Sequence, residues 1–145
     1  MMLVTSKAYK IWKRLFEEPN TWLSVPSVAY DVDMSSRQVQ AVLKTMNSPY
    51  IEKEPGSADS VPAIRLNISD EDFVALKREV IMSYNKLSEE MLQEIYDVLS
   101  PVGWTSASDL SLETGYCSAK ICIALSIMDG VVQKNDGVAK LYSLT

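Results

Sequence analysis

In the stretch "YKIWKRLF", the apolar residues Tyr9, Ile11, Trp12, Leu15 and Phe16 fall three and four apart, with lysine and arginine between them. At 3.6 residues per turn, that spacing lays one apolar stripe along a helix. Pro19 breaks the pattern, because proline cannot continue a helix. A short extended piece surrounds Trp22, and Ser24 then stands where an N-cap belongs, which predicts a second short helix over about 25–31. The turn "DVDMS" leads into "SRQVQAVLKTM", where Val39, Val42, Leu43 and Met46 form another inward stripe. Two β-like segments, "YIEKE" and "AIRLNI", flank the polar stretch "PGSADSVP" and read as a hairpin with a flexible tip.

The same order returns 82 residues later. Trp22 meets Trp104, Ser24 meets Ser106, Val28 meets Leu110, Asp31 meets Glu113 and Ser36 meets Ser118. Val39 meets Ile121, Leu43 meets Leu125 and Met46 meets Met128. After one deletion, Ile51 meets Val132, Lys53 meets Lys134 and Gly56 meets Gly137. A first helix with Met91, Leu92, Ile95, Tyr96 and Leu99 precedes the second copy and is expected to break at Pro101. A second short helix is expected over about 107–113. The third helix follows "TGYCS", with Ile121, Ala124, Leu125 and Met128 inward, and "VVQKN" with "AKLYSL" closes the copy. A repeat of this length is one structural module used twice. Between the copies, Asp70, Glu71 and Asp72 suit a helix start. Phe73, Leu76, Val80 and Ile81 give that helix a partial stripe, ending near Asn85 before Ser88 caps the next one.

Helix, β, helix, turn, helix and hairpin is an order that resembles the winged helix-turn-helix superfamily in both halves. The likeness is strongest in "VAYDVDMSSRQVQAVLKTM" and "SLETGYCSAKICIALSIMDGVVQK". It implies a mainly α fold with small β-hairpins (α+β): a first domain over 1–69, a linker helix over 70–86 and a second domain over 87–145. It also implies that a third helix enters the major groove of double-stranded DNA while the hairpin, or wing, lies along the backbone.

The outward face of the first third helix then carries Ser36, Arg37, Gln40, Ala41 and Lys44. Arginine can grip a guanine edge through two hydrogen bonds and glutamine an adenine edge. Ser36, Lys44 and Thr45 can reach phosphates. Ala41 is small enough to permit close approach. On the wing, Lys53 and Arg65 are candidates for the backbone, opposed by Glu52, Glu54 and Asp59. The bland alternative is a solvated helix face of common polar residues. Transferred to the second copy, the outward positions become Ser118, Ala119, Cys122, Ile123 and Ser126, with Lys120 to the side. This face has little attraction for phosphate, so Ala119, Cys122, Ile123 and Ser126 are expected at a protein interface, either within the chain or in a homodimer.

Charge supports the asymmetry. The formal net charge is −5. Residues 1–69 hold eight Lys/Arg against seven Asp/Glu, whereas residues 70–145 hold six against twelve. An acidic total argues against nucleic-acid binding over the whole surface but not against a local footprint. The chain has two cysteines, Cys117 and Cys122, and no histidine. A structural zinc site needs about four Cys/His ligands, so neither metal nor other cofactor is expected. The missing histidine also removes the commonest general base, and Cys122 has no evident base beside it. Glu89, Glu90 and Glu94 read as a solvated acidic face, and the five glycines make no phosphate loop. No enzyme is expected.

No apolar run reaches the roughly 20 residues needed to span a bilayer. The N-terminal stretch lacks the apolar core and cleavage site of a signal peptide. The expected location is therefore intracellular: the cytoplasm, with the nucleus left open. The expected function is a DNA-binding transcriptional regulator reading through its first module. The alternative is a protein–protein adaptor of tandem winged-helix type in a transcription, chromosome or replication complex, without direct DNA contact. A plasmid or viral replication initiator ranks lower, since such chains are usually longer and more basic.

Overall fold

The computed structural model describes residues 4–137 and 139–144, leaving aside the side chains of 100–102, 136 and 139. Residues 1–3 of the stretch tested as a signal peptide, and the Pro101 ring, lie outside the described residues. The described chain is mixed α+β, with seven helices and two three-stranded antiparallel sheets. It divides into two compact units, 1–84 and 85–145.

The first unit runs α1 (Ser6–Glu17), β1 (Leu23–Ser24), α2 (Val25–Asp31), α3 (Ser36–Met46), β2 (Ile51–Glu54), β3 (Ala63–Leu66) and α4 (Asp70–Asn85). Hydroxyl caps set the helix starts by accepting hydrogen bonds from otherwise unpaired amides. Thr5 Oγ1 accepts from the Ala8 amide at 3.2 Å, and Ser24 Oγ accepts from the Ser27 amide at 3.2 Å. α3 has a full capping box: the Gln38 amide donates to Ser35 Oγ at 3.1 Å, and the Ser35 amide donates to Gln38 Oε1 at 3.0 Å. One glutamine of "SRQVQ" thus holds the helix start, while Gln40 stays exposed.

Ile11, Trp12 and Leu15 of α1, Val28 of α2, Val39 and Leu43 of α3, and Ile64 and Leu66 of β3 share one core. Val42 and Met46 pack at its edge. Leu76 and Val80 of α4 are buried in the same core, so the helix expected between two domains belongs with the first unit. The sheet order is β1-β3-β2. Asn20 secures it, its amide donating to Leu66 O at 2.7 Å and its side chain bonding both backbone groups of Ile68 at 2.8 and 3.0 Å.

The second unit repeats the order: α5 (Glu89–Val102), β4 (Thr105–Ser106), α6 (Ala107–Thr114), α7 (Ser118–Ile127), β5 (Val131–Asp136) and β6 (Ala139–Leu144), with sheet order β4-β6-β5. Met91, Leu92, Ile95, Leu99, Leu110, Ile121 and Leu125 are buried. The backbone of α5 does not break at Pro101; it continues to Val102 and turns out at Gly103, whose φ is 71°. The turn before each third helix needs one left-handed residue, and the repeat supplies Asp33 (φ 58°) in one unit and Gly115 (φ 82°) in the other.

Strand pairing corrects the repeat within the hairpins. Leu23 and Lys53 both face Ile64, while Thr105 and Gln133 both face Tyr142. Lys53 therefore corresponds to Gln133, and Ile51 to Val131, one residue from the alignment made on the lysines. In a strand a one-residue shift moves every side chain to the other face. No described helix is long and apolar enough to cross a membrane.

Candidate nucleic-acid interface

Because α3 buries Val39 and Leu43, its opposite side must face outward. Arg37, Gln40, Ala41, Lys44 and Thr45 are exposed, and Ser36 is half-buried. Arg37 and Lys44 are in no ion pair among the described residues, where the pairs belong to Arg14 and Arg65. The Thr45 hydroxyl donates to the Val42 carbonyl at 2.7 Å, back along its own helix. That hydroxyl is engaged locally, as helical threonines often are.

Successive strand residues point to opposite faces, and this separates the two hairpin cations. Lys53 lies opposite Ile64, and together with Gln40 and Lys44 it lines a cleft of about 220 Å³ between α3 and the hairpin. Arg65 lies opposite Glu52. Its Nη2 donates to Glu52 Oε2 at 2.7 Å, and its guanidinium sits 4.7 Å from the centre of the Trp22 ring. Its side chain is 29% exposed, and its Nε is buried without a partner among the described residues. Asn67 Nδ2 also donates to Glu52. The Arg65 hydrogen bond, then that of Asn67, holds the Glu52 carboxyl below its ordinary range. Arg65 thus spends its charge on Glu52 and Trp22, unlike the free phosphate-binding cation expected of it. Of the eight residues proposed from the sequence, Arg37, Gln40, Ala41, Lys44 and Lys53 form the open surface. Ser36 is half shielded, and Thr45 and Arg65 are committed to partners inside the unit.

The second unit has the same frame with different chemistry. On α7, Ala119, Cys122 and Ser126 are exposed and Ile123 is half-buried. The Ser126 hydroxyl donates to the Ile123 carbonyl at 2.5 Å. A cleft of about 240 Å³ lies between α7 and the β5–β6 hairpin, lined in part by Cys122, Ser126, Gln133 and Tyr142. These stand where the first cleft has Gln40, Lys44, Lys53 and Ile64. Tyr142 is buried, and that burial, with the nearby Cys122 thiol, raises its hydroxyl pKa. Both cysteines are free and exposed. The Lys134 ammonium lies 4.5 Å from the centre of the Trp104 ring. It takes the place beside tryptophan that Arg65 takes in the first unit, but from the other hairpin strand. Sequence reasoning missed this cation–tryptophan exchange because the two lysines align by eye.

Among the described residues, no three His, Cys, Asp or Glu side chains group to hold a metal ion. The chain matches no protein-family model and no curated protein. Among solved structures it is similar to the crystal structure of the DIP2311 protein from Corynebacterium diphtheriae, at 18% identity and a TM-score of 0.32. The match covers 96% of this chain and 26% of that one, so this chain spans about a quarter of that protein's length. A likeness at this level carries no argument about fold family or function.

Proposed function

We propose that the chain is a DNA-binding regulator of transcription built from two tandem winged-helix units, with α3 as its reading helix and the β2–β3 hairpin as the wing. The observation that carries this reading is the difference between two equivalent helices. α3 turns Arg37, Gln40 and Lys44 outward, unpaired among the described residues, with Lys53 across the cleft, while α7 turns Ala119, Cys122 and Ser126 outward on the same frame. Arg37 would take a guanine edge, Gln40 an adenine edge, and Lys44 and Lys53 the phosphates. With α4 included, the first unit holds ten Lys/Arg against eleven Asp/Glu. Its attraction for DNA is therefore local to this face. A homodimer that sets two α3 helices on neighbouring half-sites would supply the rest of the affinity. Such a regulator works inside the cell and has no catalytic step.

A gel shift with genomic fragments tests this. At roughly 50 mM salt, where phosphate contacts are strong, the wild-type chain should retard DNA and the Arg37→Ala, Lys44→Ala double variant should not. Free migration of all fragments with the wild-type chain would sink the proposal. A second reading, a protein–protein adaptor, draws support from the uncharged α7 face and from Leu112 of α6, which is 85% exposed. An adaptor would leave DNA mobility unchanged and keep its partner when Arg37 and Lys44 are removed.

A further inference from the structure

The first cleft between third helix and hairpin has a feature that DNA contact does not require. It has an accessible apolar wall of Pro55, Pro62 and Ala63 backed by the buried Val25 and Ile64, and its cations are Lys44 and Lys53, neither in an ion pair among the described residues. A lysine that only meets phosphate needs no apolar wall beside it. Glu54 also lines the cleft, leaving the lining one net positive charge. At about 220 Å³ the cleft is smaller than the roughly 300–1,000 Å³ of sites for drug-sized ligands. The counterpart cleft is of similar size, about 240 Å³, but Ser126 and Gln133 stand where the first has Lys44 and Lys53.

We propose that the first cleft binds a small organic monoanion with a flat apolar body, of the size and chemistry of an aromatic carboxylate, and that this ligand competes with DNA for Lys44 and Lys53. The apolar body covers Pro55, Pro62 and Ala63, the wall residues that still meet water and gain by leaving it. The carboxylate meets the two ammonium groups through charge-assisted hydrogen bonds, and Glu54 disfavours a second negative charge. The competition half of the proposal rests on the reading of α3 and the wing as a DNA interface; the binding half does not.

The test uses the full ¹⁵N-labelled chain without DNA, titrated with 1-naphthoate and separately with the neutral 1-naphthalenemethanol. Naphthoate should shift the amides of Leu43, Lys44, Lys53 and Ile64, and should bind at least about tenfold more tightly than the alcohol, the order expected when charge-assisted contacts are added. Lys44→Ser with Lys53→Gln, which installs the residues of the second cleft, should bring naphthoate down to the level of the alcohol. Lys44→Arg with Lys53→Arg should keep the preference. Equal binding of the two probes, or equal naphthoate binding by the Ser/Gln variant, overturns the site. Saturating naphthoate should weaken any gel shift about tenfold; a shift that ignores naphthoate overturns the competition. Naphthoate binding with these shifts in a chain that retards no DNA upholds the site and overturns the DNA reading.

Discussion

Gly115→Ala should destabilise the second unit by about 1 kcal/mol. Gly115 closes α6 in the left-handed region, at φ 82° and ψ 0°, and its amide donates to Ser111 O at 2.9 Å. A Cβ built there meets nothing within 4 Å, so the cost is conformational and not steric. The left-handed region costs an L-residue roughly 1–2 kcal/mol. Alanine recovers roughly 0.4–1 kcal/mol of that by narrowing the unfolded chain. The balance, about 1 kcal/mol, corresponds to roughly fivefold in a folding equilibrium. Amide exchange at the buried Ile121 and Leu125 of α7 reads it within the second unit. Both amides should exchange about fivefold faster in Gly115→Ala than in wild type. Gly115→Asn should show less than half that effect, because asparagine tolerates the left-handed region. Unchanged exchange in the alanine variant, or an asparagine variant as damaged as alanine, would refute the reasoning.

Cys117→Ser should stabilise α7 by about 0.5–1 kcal/mol, the worth of an N-cap hydrogen bond, because Cys117 caps the helix without one where Ser35 caps α3; a lowered denaturation midpoint would contradict it. Arg14→Ala should cost the first unit about 1 kcal/mol in urea denaturation, because the 2.7 Å pair with Asp31 joins α1 to α2, the 2.6 Å pair with Glu18 is lost too, and the Arg14 side chain is only 17% exposed; a neutral result would show these pairs to be ornamental. Glu52 should titrate below its ordinary value of 4.5. Its folded pKa is lowered, so its contribution to stability is fully present above the ordinary value of 4.5 and is lost as pH falls through the lowered folded pKa. A carboxyl-detected NMR titration should show the midpoint moving up in Arg65→Ala, and a midpoint that stays put would remove Arg65 as the cause.

The helix pattern was legible because it depends on neighbours in sequence. Ser24, Ser88 and Ser106 each cap a helix start, and the stripes of Ile11, Trp12, Leu15 and of Ile121, Ala124, Leu125 are buried as their spacing implies. The exposure of Arg37, Gln40 and Lys44 follows from the same periodicity. What was not legible depends on partners distant in sequence. Arg65 looked free because its cross-strand neighbour Glu52 is known only once register is fixed. The two hairpins resisted alignment for the same reason: their loops differ in length, and matching Lys53 to Lys134 moved every following residue to the wrong face. Thr45 shows a third limit: its hydroxyl serves the backbone of α3, a use that residue type alone does not reveal. The Gln38 bond was within reach of the sequence, since Ser35 and Gln38 stand at the spacing of a capping box. The cleft shared by Gln40, Lys44 and Lys53 needed the hairpin folded beside the helix before it existed as a site.

The central claim is that α3 holds DNA with a few local cations despite an acidic chain. Fluorescence anisotropy of a labelled duplex selected by gel shift, measured across salt, tests it most directly. For wild type, log K should fall linearly with log salt, and the Lys44→Ala, Lys53→Ala variant should lose roughly one unit of slope for each lysine removed. Ser126→Ala with Gln133→Ala, at the matching positions of the second unit, should leave affinity and slope unchanged. An identical slope in the lysine variant, or an equal loss in the second-unit variant, would contradict the account.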